Sequence, residues 1–265
     1  MSETTNNYSE MRKIFFLLLI VSSLSSCAEL LKIANHVNAP YGSSKLPITN
    51  ADNIAGLKSS LDVGIEKAVG LLSLENAFYG NEALKILLPP EAKPVIDNLK
   101  LIPGGEELVN KAILSLNRSA EDAVKEATPI FKNAIKNMTI ADAGNILFGS
   151  DSAATSYLRR NTYAQLISAF APKVKNSLDK PLVGGISTNQ SWNTLSDAYN
   201  KVANSTIAKI AGLKPVNISL EEYATQKALN ALFLKVSEEE KAIRTDPVAR
   251  VNELLKRIFG QLDKK

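Results

Sequence analysis

The sequence predicts an all-α protein whose main body is a single multi-helix bundle. Three observations predict it. Beyond residue 50 apolar side chains recur at three- and four-residue steps, the spacing of one helix face. Alternating stretches are confined to residues 85–88 and 216–218, too short for a sheet. The breaks between helical runs fall at capping residues, prolines and glycines.

Each element follows from these rules. Ile54, Leu57, Leu61, Ile65, Val69 and Leu72 form one stripe and predict a helix over about 53–73, which Phe78-Tyr79-Gly80-Asn81 breaks. Pro89-Pro90, Pro94 and Pro103-Gly104-Gly105 leave room for one short helix near 91–101. A longer helical run covers about 105–137, with Leu108, Leu116, Ala120, Ala123, Ala127, Phe131 and Ile135 on one side and Pro129 as the expected kink or break. Its alanines allow close helix packing. Thr139 with Asp142 reads as a capping pair that opens a short helix ended by Gly149.

The next helix begins at Ser150–Ser152 and carries Tyr157, Leu158, Leu166, Ile167, Phe170, Val174 and Leu178, with Pro172 as a second expected kink. Residues 181–189 read as a loop and about 191–211 as a helix. Ser219 with Glu222 is a capping box opening a helix to about 243. Thr245-Asp246-Pro247 opens the last helix, with Val248, Val251, Leu255, Ile258, Phe259 and Leu262 as its stripe. No repeat of 20–50 residues and no sustained heptad is present.

The first 26 residues have a different character. Arg12-Lys13 precede the apolar run Ile14–Val21, and Leu24-Ser25-Ser26-Cys27 closes it with small residues before the chain's single cysteine. That order is the order of a bacterial lipoprotein signal: a basic segment, an apolar segment and a cleavage slot before a cysteine that takes the lipid. Met11-Arg12-Lys13 is an ordinary start for such a signal, so translation is expected to begin at Met11. The apolar run, eight residues from Ile14 to Val21 and eleven to Leu24, is shorter than the roughly 20 that span a bilayer, so Cys27 is expected to anchor the chain without a spanning helix.

Residues 27–48 then read as a tether, because Pro40, Gly42 and Pro47 disfavour regular structure. As a flexible coil it reaches about 25–30 Å. Ala28-Glu29 lacks the aspartate of inner-membrane retention. By analogy the expected location is the outer membrane, facing the periplasm. The helical domain is expected over 49–265.

Composition narrows the function classes. Removing residues 1–26 takes away Glu3, Glu10, Arg12 and Lys13, so the net charge stays +4. The densest basic spots, Arg159-Arg160 and Lys256-Arg257, are single pairs, so no nucleic-acid partner is expected. With 45% apolar residues, about 240 mature residues can bury roughly 70–75% of their unfolded surface in one core. His36 is the only histidine and lies in the tether, while Cys27 is assigned to lipid, so no metal or cofactor is expected. Ser-His and Cys-His catalysis lack partners for the same reason, and only a serine with lysine stays open. Gly104-Gly105 and Gly184-Gly185 read as turns, not phosphate loops.

Three stretches carry a family resemblance. They are Gly56-Leu57-Lys58 through Phe78-Tyr79-Gly80-Asn81, Met138-Thr139-Ile140-Ala141-Asp142-Ala143 through Tyr157-Leu158-Arg159-Arg160, and Tyr223-Ala224-Thr225-Gln226 through Thr245-Asp246-Pro247. In order and spacing they resemble the domain-of-unknown-function family numbered 4197, exported proteins of Gram-negative bacteria that often carry lipoprotein signals. The resemblance covers most of 50–260. It implies a helical exported domain and supplies no catalytic residues.

Two clusters remain as candidate sites. Glu238, Glu239, Glu240 and Asp246 lie near Arg244, and two carboxylates held apart serve general acid/base hydrolysis. In that reading Glu239 or Glu240 acts, with Arg244 holding the partner anion. Consecutive glutamates point about 100° apart on a helix, and a solvated charged helix end is the plainer reading. The other cluster is Tyr157, Arg159 and Arg160, with Arg118 and Tyr223 as further ligand candidates. Arginine forks there either pair with carboxylates of the last two helices or hold an anionic headgroup.

Phe131, Tyr163, Phe170, Tyr223 and Phe233 beside alanine-rich helices suit an apolar cavity for a lipid-like guest, or plain core. Asp151-Ser152-Ala153 matches a short O-glycosylation pattern, and Ser152 equally suits a helix cap. The expected function is a lipid-anchored envelope domain that binds a protein partner or an apolar, lipid-like ligand. An envelope hydrolase or transferase using carboxylates and arginines at helix ends is the rival.

Overall fold

The computed structural model describes residues 47–99, 103–183, 185–210, 212 and 214–264. The chain divides into two units, Met1–Pro47 and Ile48–Lys265, and the architecture described is that of the second. The signal, Cys27 and His36 lie outside the described residues. The second unit is an all-α bundle.

Helix α1 spans Asn50–Leu72 and starts earlier than its apolar stripe, because Thr49 and Asp52 close a reciprocal capping box. The Thr49 hydroxyl accepts the Asp52 N–H at 3.1 Å, and the Asp52 carboxylate accepts the Thr49 N–H at 2.9 Å. A 3-10 turn at Pro90–Ala92 leads into α2, Lys93–Leu99. The expected run over 105–137 is two helices, α3 (Gly105–Ala123) and α4 (Ala127–Lys136), joined by a 3-10 turn at Val124–Glu126. The break is therefore not at Pro129. That proline stands in the first turn of α4, where a missing N–H costs no helical bond. Ala123, Val124 and Ala127 are sealed in the core and hold the offset in place.

Helix α5 (Ile140–Leu147) opens on the expected Thr139–Asp142 capping box. Helix α6 (Ala153–Leu178) keeps Pro172 inside it without ending there. The expected loop 181–189 contains a small antiparallel hairpin, β1 (Pro181–Val183) and β2 (Ile186–Ser187), turned through Gly185 at φ +79°. Ser187 and Gln190 then form a capping box that starts α7 (Thr188–Ala203) before residue 191. Instead of running to 211 the helix breaks at Asn204-Ser205, and the Ser205 hydroxyl accepts the Ala208 N–H to restart it as α8 (Thr206–Ile210).

Helix α9 (Leu220–Thr245) is capped by Ser219, whose hydroxyl accepts the Glu222 N–H at 3.2 Å; the reciprocal half of the expected box is not made. Asp246 and Pro247 open only a 3-10 turn, Pro247–Ala249. The last helix, α10 (Glu253–Phe259), starts at Asn252, whose side chain accepts the Leu255 N–H. This restart puts Val248 and Val251 in solvent and Leu255, Ile258 and Phe259 in the core, with Leu262 packed partly buried against it.

Packing follows the stripes. Helices α6 and α9, each about 39 Å long at 1.5 Å per residue, pack on one another, and α1, α3 and α4 complete the core around them. Ala120, Ala123, Ala224 and Ala228 have no exposed surface, which lets α3 and α9 approach closely. Phe78, Phe131 and Phe170 are fully sealed, each stabilising the fold by about 1.5–3 kcal/mol relative to exposure.

The irregular segment between α1 and α2 is held by α3. The Asn117 side chain accepts the Ile86 N–H and donates to the Ile86 carbonyl, both at 2.9 Å, as a neighbouring strand would. Glu121 accepts the Phe78 N–H at 3.2 Å. Asn200 repeats the first device on Val216, accepting its N–H at 2.7 Å and donating to its carbonyl at 2.8 Å.

Candidate functional site

The acidic cluster at the end of α9 is only in part the solvated helix end expected of it: Glu238 and Asp246 are exposed, and Glu240 is not. Glu240 and Arg244, one turn apart, are buried. The Glu240 carboxylate accepts the backbone N–H groups of Ala154 and Thr155 at 2.9 and 2.8 Å and the Thr155 hydroxyl at 2.8 Å. It also accepts Arg244 Nε and Nη2 at 3.1 and 3.0 Å. Arg244 donates onward to the carbonyls of Ile146 and Leu147 at 2.7 and 3.0 Å. An anion thus sits at the positive end of α6 and a cation at the negative end of α5, and both stabilise the dipoles they face.

Because Glu240 supplies this cap, the Ser152 hydroxyl makes no cap bond. A void of about 10 Å³ touches the pair, at the lower limit of what one water molecule needs. Glu239 points elsewhere and pairs with Lys67 at 2.7 Å. Both carboxylates expected for acid/base chemistry have structural partners, and Arg244 holds backbone carbonyls rather than a substrate anion.

The arginines also separate. Arg118 pairs with Glu121 at 2.6 Å and Glu75 at 3.0 Å, and bonds Asn76, pinning the turn after α1 instead of meeting the last two helices. Arg159 bonds Asn230 at 2.8 Å and lies over the rings of Tyr163 and Phe233. Phe233 packs edge-on to Phe131 at 5.8 Å and stacks on Tyr163 at 6.3 Å. Phe131, Tyr163 and Phe233, expected to line an apolar cavity, pack on one another, and none of the five expected rings lines this void or the polar groove beside α6. Tyr223 lies at the start of α9, its phenol pushed up by burial and by the charge of Glu91.

Tyr157 and Arg160 do come together. They line an open, polar groove of about 510 Å³ between α4, α5 and α6. Helix α6 contributes Tyr157, Arg160, Asn161 and Gln165, which fall on one face at three- and four-residue spacing. Helix α4 and the turn after it add Asn133 and Asn137, and α5 adds Asp142. Burial, with the Asp142 charge adding to it, pushes the Tyr157 phenol above its ordinary value of 10.0, so at neutral pH it remains a hydroxyl that both donates and accepts.

Asn161 donates one amide hydrogen to the Tyr157 carbonyl at 2.8 Å, and Asn137 donates to Asn133 at 3.3 Å. Among the described residues the Tyr157 hydroxyl, the Arg160 guanidinium and the Gln165 amide have no hydrogen-bond or ion-pair partner in the protein. Arg160 is exposed. The groove therefore offers donors, acceptors and one guanidinium, and it lacks the paired carboxylates that hydrolysis of a glycosidic bond uses.

The amides Asn133, Asn137, Asn161 and Gln165 were not among the sequence candidates. Their four-residue spacing on two helices was the available signal. Among the described residues no group of three or more His, Cys, Asp or Glu side chains could hold a metal, and no helix is long and apolar enough to cross a membrane.

A family profile described as "Protein of unknown function (DUF4197)" matches residues 47–260. No curated protein and no solved structure matches the chain.

Proposed function

Because the chain belongs to the DUF4197 family of proteins of unknown function, we propose its role from its own geometry: a lipid-anchored envelope protein whose helical domain binds an extended, acidic segment of a partner protein. The ordered basic segment, apolar run and lipobox ending at Cys27 support the anchor and, by analogy, an outer-membrane position facing the periplasm.

The groove at Tyr157 and Arg160 supports the binding role. One observation carries it: an exposed guanidinium without an ion pair stands beside a phenol hydroxyl and side-chain amides that have hydrogen-bonding capacity left over. The protein already uses asparagine amides to grip extended backbone, Asn117 on Ile86 and Asn200 on Val216. Asn137, Asn161 and Gln165 can grip a partner's backbone in the same way, while Arg160 takes a carboxylate in a forked pair.

The test is a titration of the isotope-labelled protein with a mixture of acidic heptapeptides, followed through the side-chain amide resonances. The expected result is movement of the Asn133, Asn137, Asn161 and Gln165 signals that R160E abolishes. Signals that stay fixed, or that move equally in R160E, would contradict the proposal.

A further inference from the structure

The segment after α7 carries large apolar side chains that nothing in the bundle covers. Val202 is 60% exposed, and Ile207 and Ile210 are each 83% exposed. Ile207 and Ile210 are three residues apart on α8 and share a face. These three residues form the solvent-facing tip of α7 and α8. The tip is nonetheless built into the fold. Ala203 and Ala208 are buried beneath it, Asn200 clamps Val216, and Trp192 donates to the Ile218 carbonyl at 2.9 Å.

Between Asp197, one turn before Lys201 on α7, and Glu221-Glu222 at the start of α9, its charge is positive. From Ala198 to Leu220 the sequence has no acidic residue and three lysines, Lys201, Lys209 and Lys214. All three are exposed, and among the described residues none has an ion pair.

We propose that the tip of α7 and α8 docks into an anionic lipid surface, with Val202, Ile207 and Ile210 entering the interface and the three lysines meeting the headgroups. The occupant follows from the chemistry. A patch of three apolar side chains is smaller than the roughly 800 Å² per partner of a stable protein interface. A fluid bilayer needs no shape complementarity, and lysine stems lie along apolar surface while their ammonium groups reach anionic headgroups. The proposal rests on the anchoring reading, since a chain tethered at Cys27 meets the bilayer at high effective concentration.

The experiment uses the full lipid-modified chain carrying I207C, which is then the only free thiol, labelled with an environment-sensitive fluorophore. The chain is placed in vesicles of phosphatidylethanolamine and phosphatidylglycerol, with phosphatidylcholine vesicles as reference. The expected result is a blue-shifted label quenched by spin-labelled lipid in the anionic vesicles only, with K201E/K209E weakening the docked fraction about tenfold or more. A control label at N161C stays in water. A label at 207 as exposed as that at 161, or one shielded without lipid quenching as in a protein interface, would overturn the proposal. A second label on Cys27 would show that thiol free and overturn the anchoring alone. C27S/I207C with added vesicles then still decides whether the tip docks.

Discussion

The Glu240 carboxylate and the Arg244 guanidinium meet at 3.0 Å on α9 with their side chains only 6% and 4% exposed. Between them they satisfy the first N–H groups of α6 and the last carbonyls of α5. Removing one partner leaves the other charge buried, which costs about 3–5 kcal/mol. E240A and R244A are each expected to lower unfolding free energy by that amount in denaturant titrations. The double variant is expected to lose clearly less than the sum, because it leaves no lone charge.

Asn117 stands in for a β-strand beside Ile86. N117A leaves the buried Ile86 N–H and carbonyl without partners, at about 1–3 kcal/mol. N200A removes the equivalent clamp on Val216 outside the central helices. Hydrogen exchange is expected to quicken at the Val216 amide in N200A while amides of α6 and α9 keep their protection.

Gly56 on α1 faces Ile258 of α10 so closely that an added Cβ would fall 2.4 Å from the isoleucine Cγ1. G56A gains about 1 kcal/mol of helix propensity and loses about 1–3 kcal/mol to overpacking against a branched side chain that cannot swing away. The expected net effect is a lower melting temperature. Adding I258A is expected to cost less in the G56A background than in the wild type.

Arg250 is buried, bonds the carbonyls of Ile243 and Arg244, and grips both oxygens of Asp263 at 2.6 Å. Those hydrogen bonds hold the Asp263 carboxyl below its ordinary value of 3.8. A lowered folded-state value means that the contribution is complete above the unfolded value and is lost as pH falls through the lowered one. D263N is therefore expected to melt earlier than the wild type at pH 7. The gap is expected to close in acid, below the ordinary carboxylate value.

The helices were legible because core-facing side chains repeat along one face, and Thr139–Asp142 was legible because both halves of its cap lie within four residues. Other features depend on distant partners. The Glu240 cap joins residues 86 apart, so nothing local marked Glu240 as buried. The break at Val124–Glu126 comes from packing, while the visible signal, Pro129, fell where a helix tolerates it. The last apolar stripe ran on through Val248 and Val251 because periodicity does not register that Asn252 restarts the helix. Tyr157 and Arg160 were readable as a pair on one helix, but the groove exists only once α4 and α5 dock beside them.

Anchoring at Cys27 has its own check. Cells fed a radiolabelled or alkyne-bearing fatty acid are expected to label the wild-type chain and not C27A. Equal labelling of both would remove the anchor from the proposal.

The most direct measurement is photo-crosslinking in the intact envelope from a benzophenone side chain placed at Gln165, at the edge of the Tyr157–Arg160 groove. The expected product is a discrete adduct to an acidic, extended segment of another protein, lost in R160E and retained in K227E on Tyr223's side of the bundle. Persistence of the same adduct in R160E, or no adduct from the groove at all, would contradict the groove as the binding site.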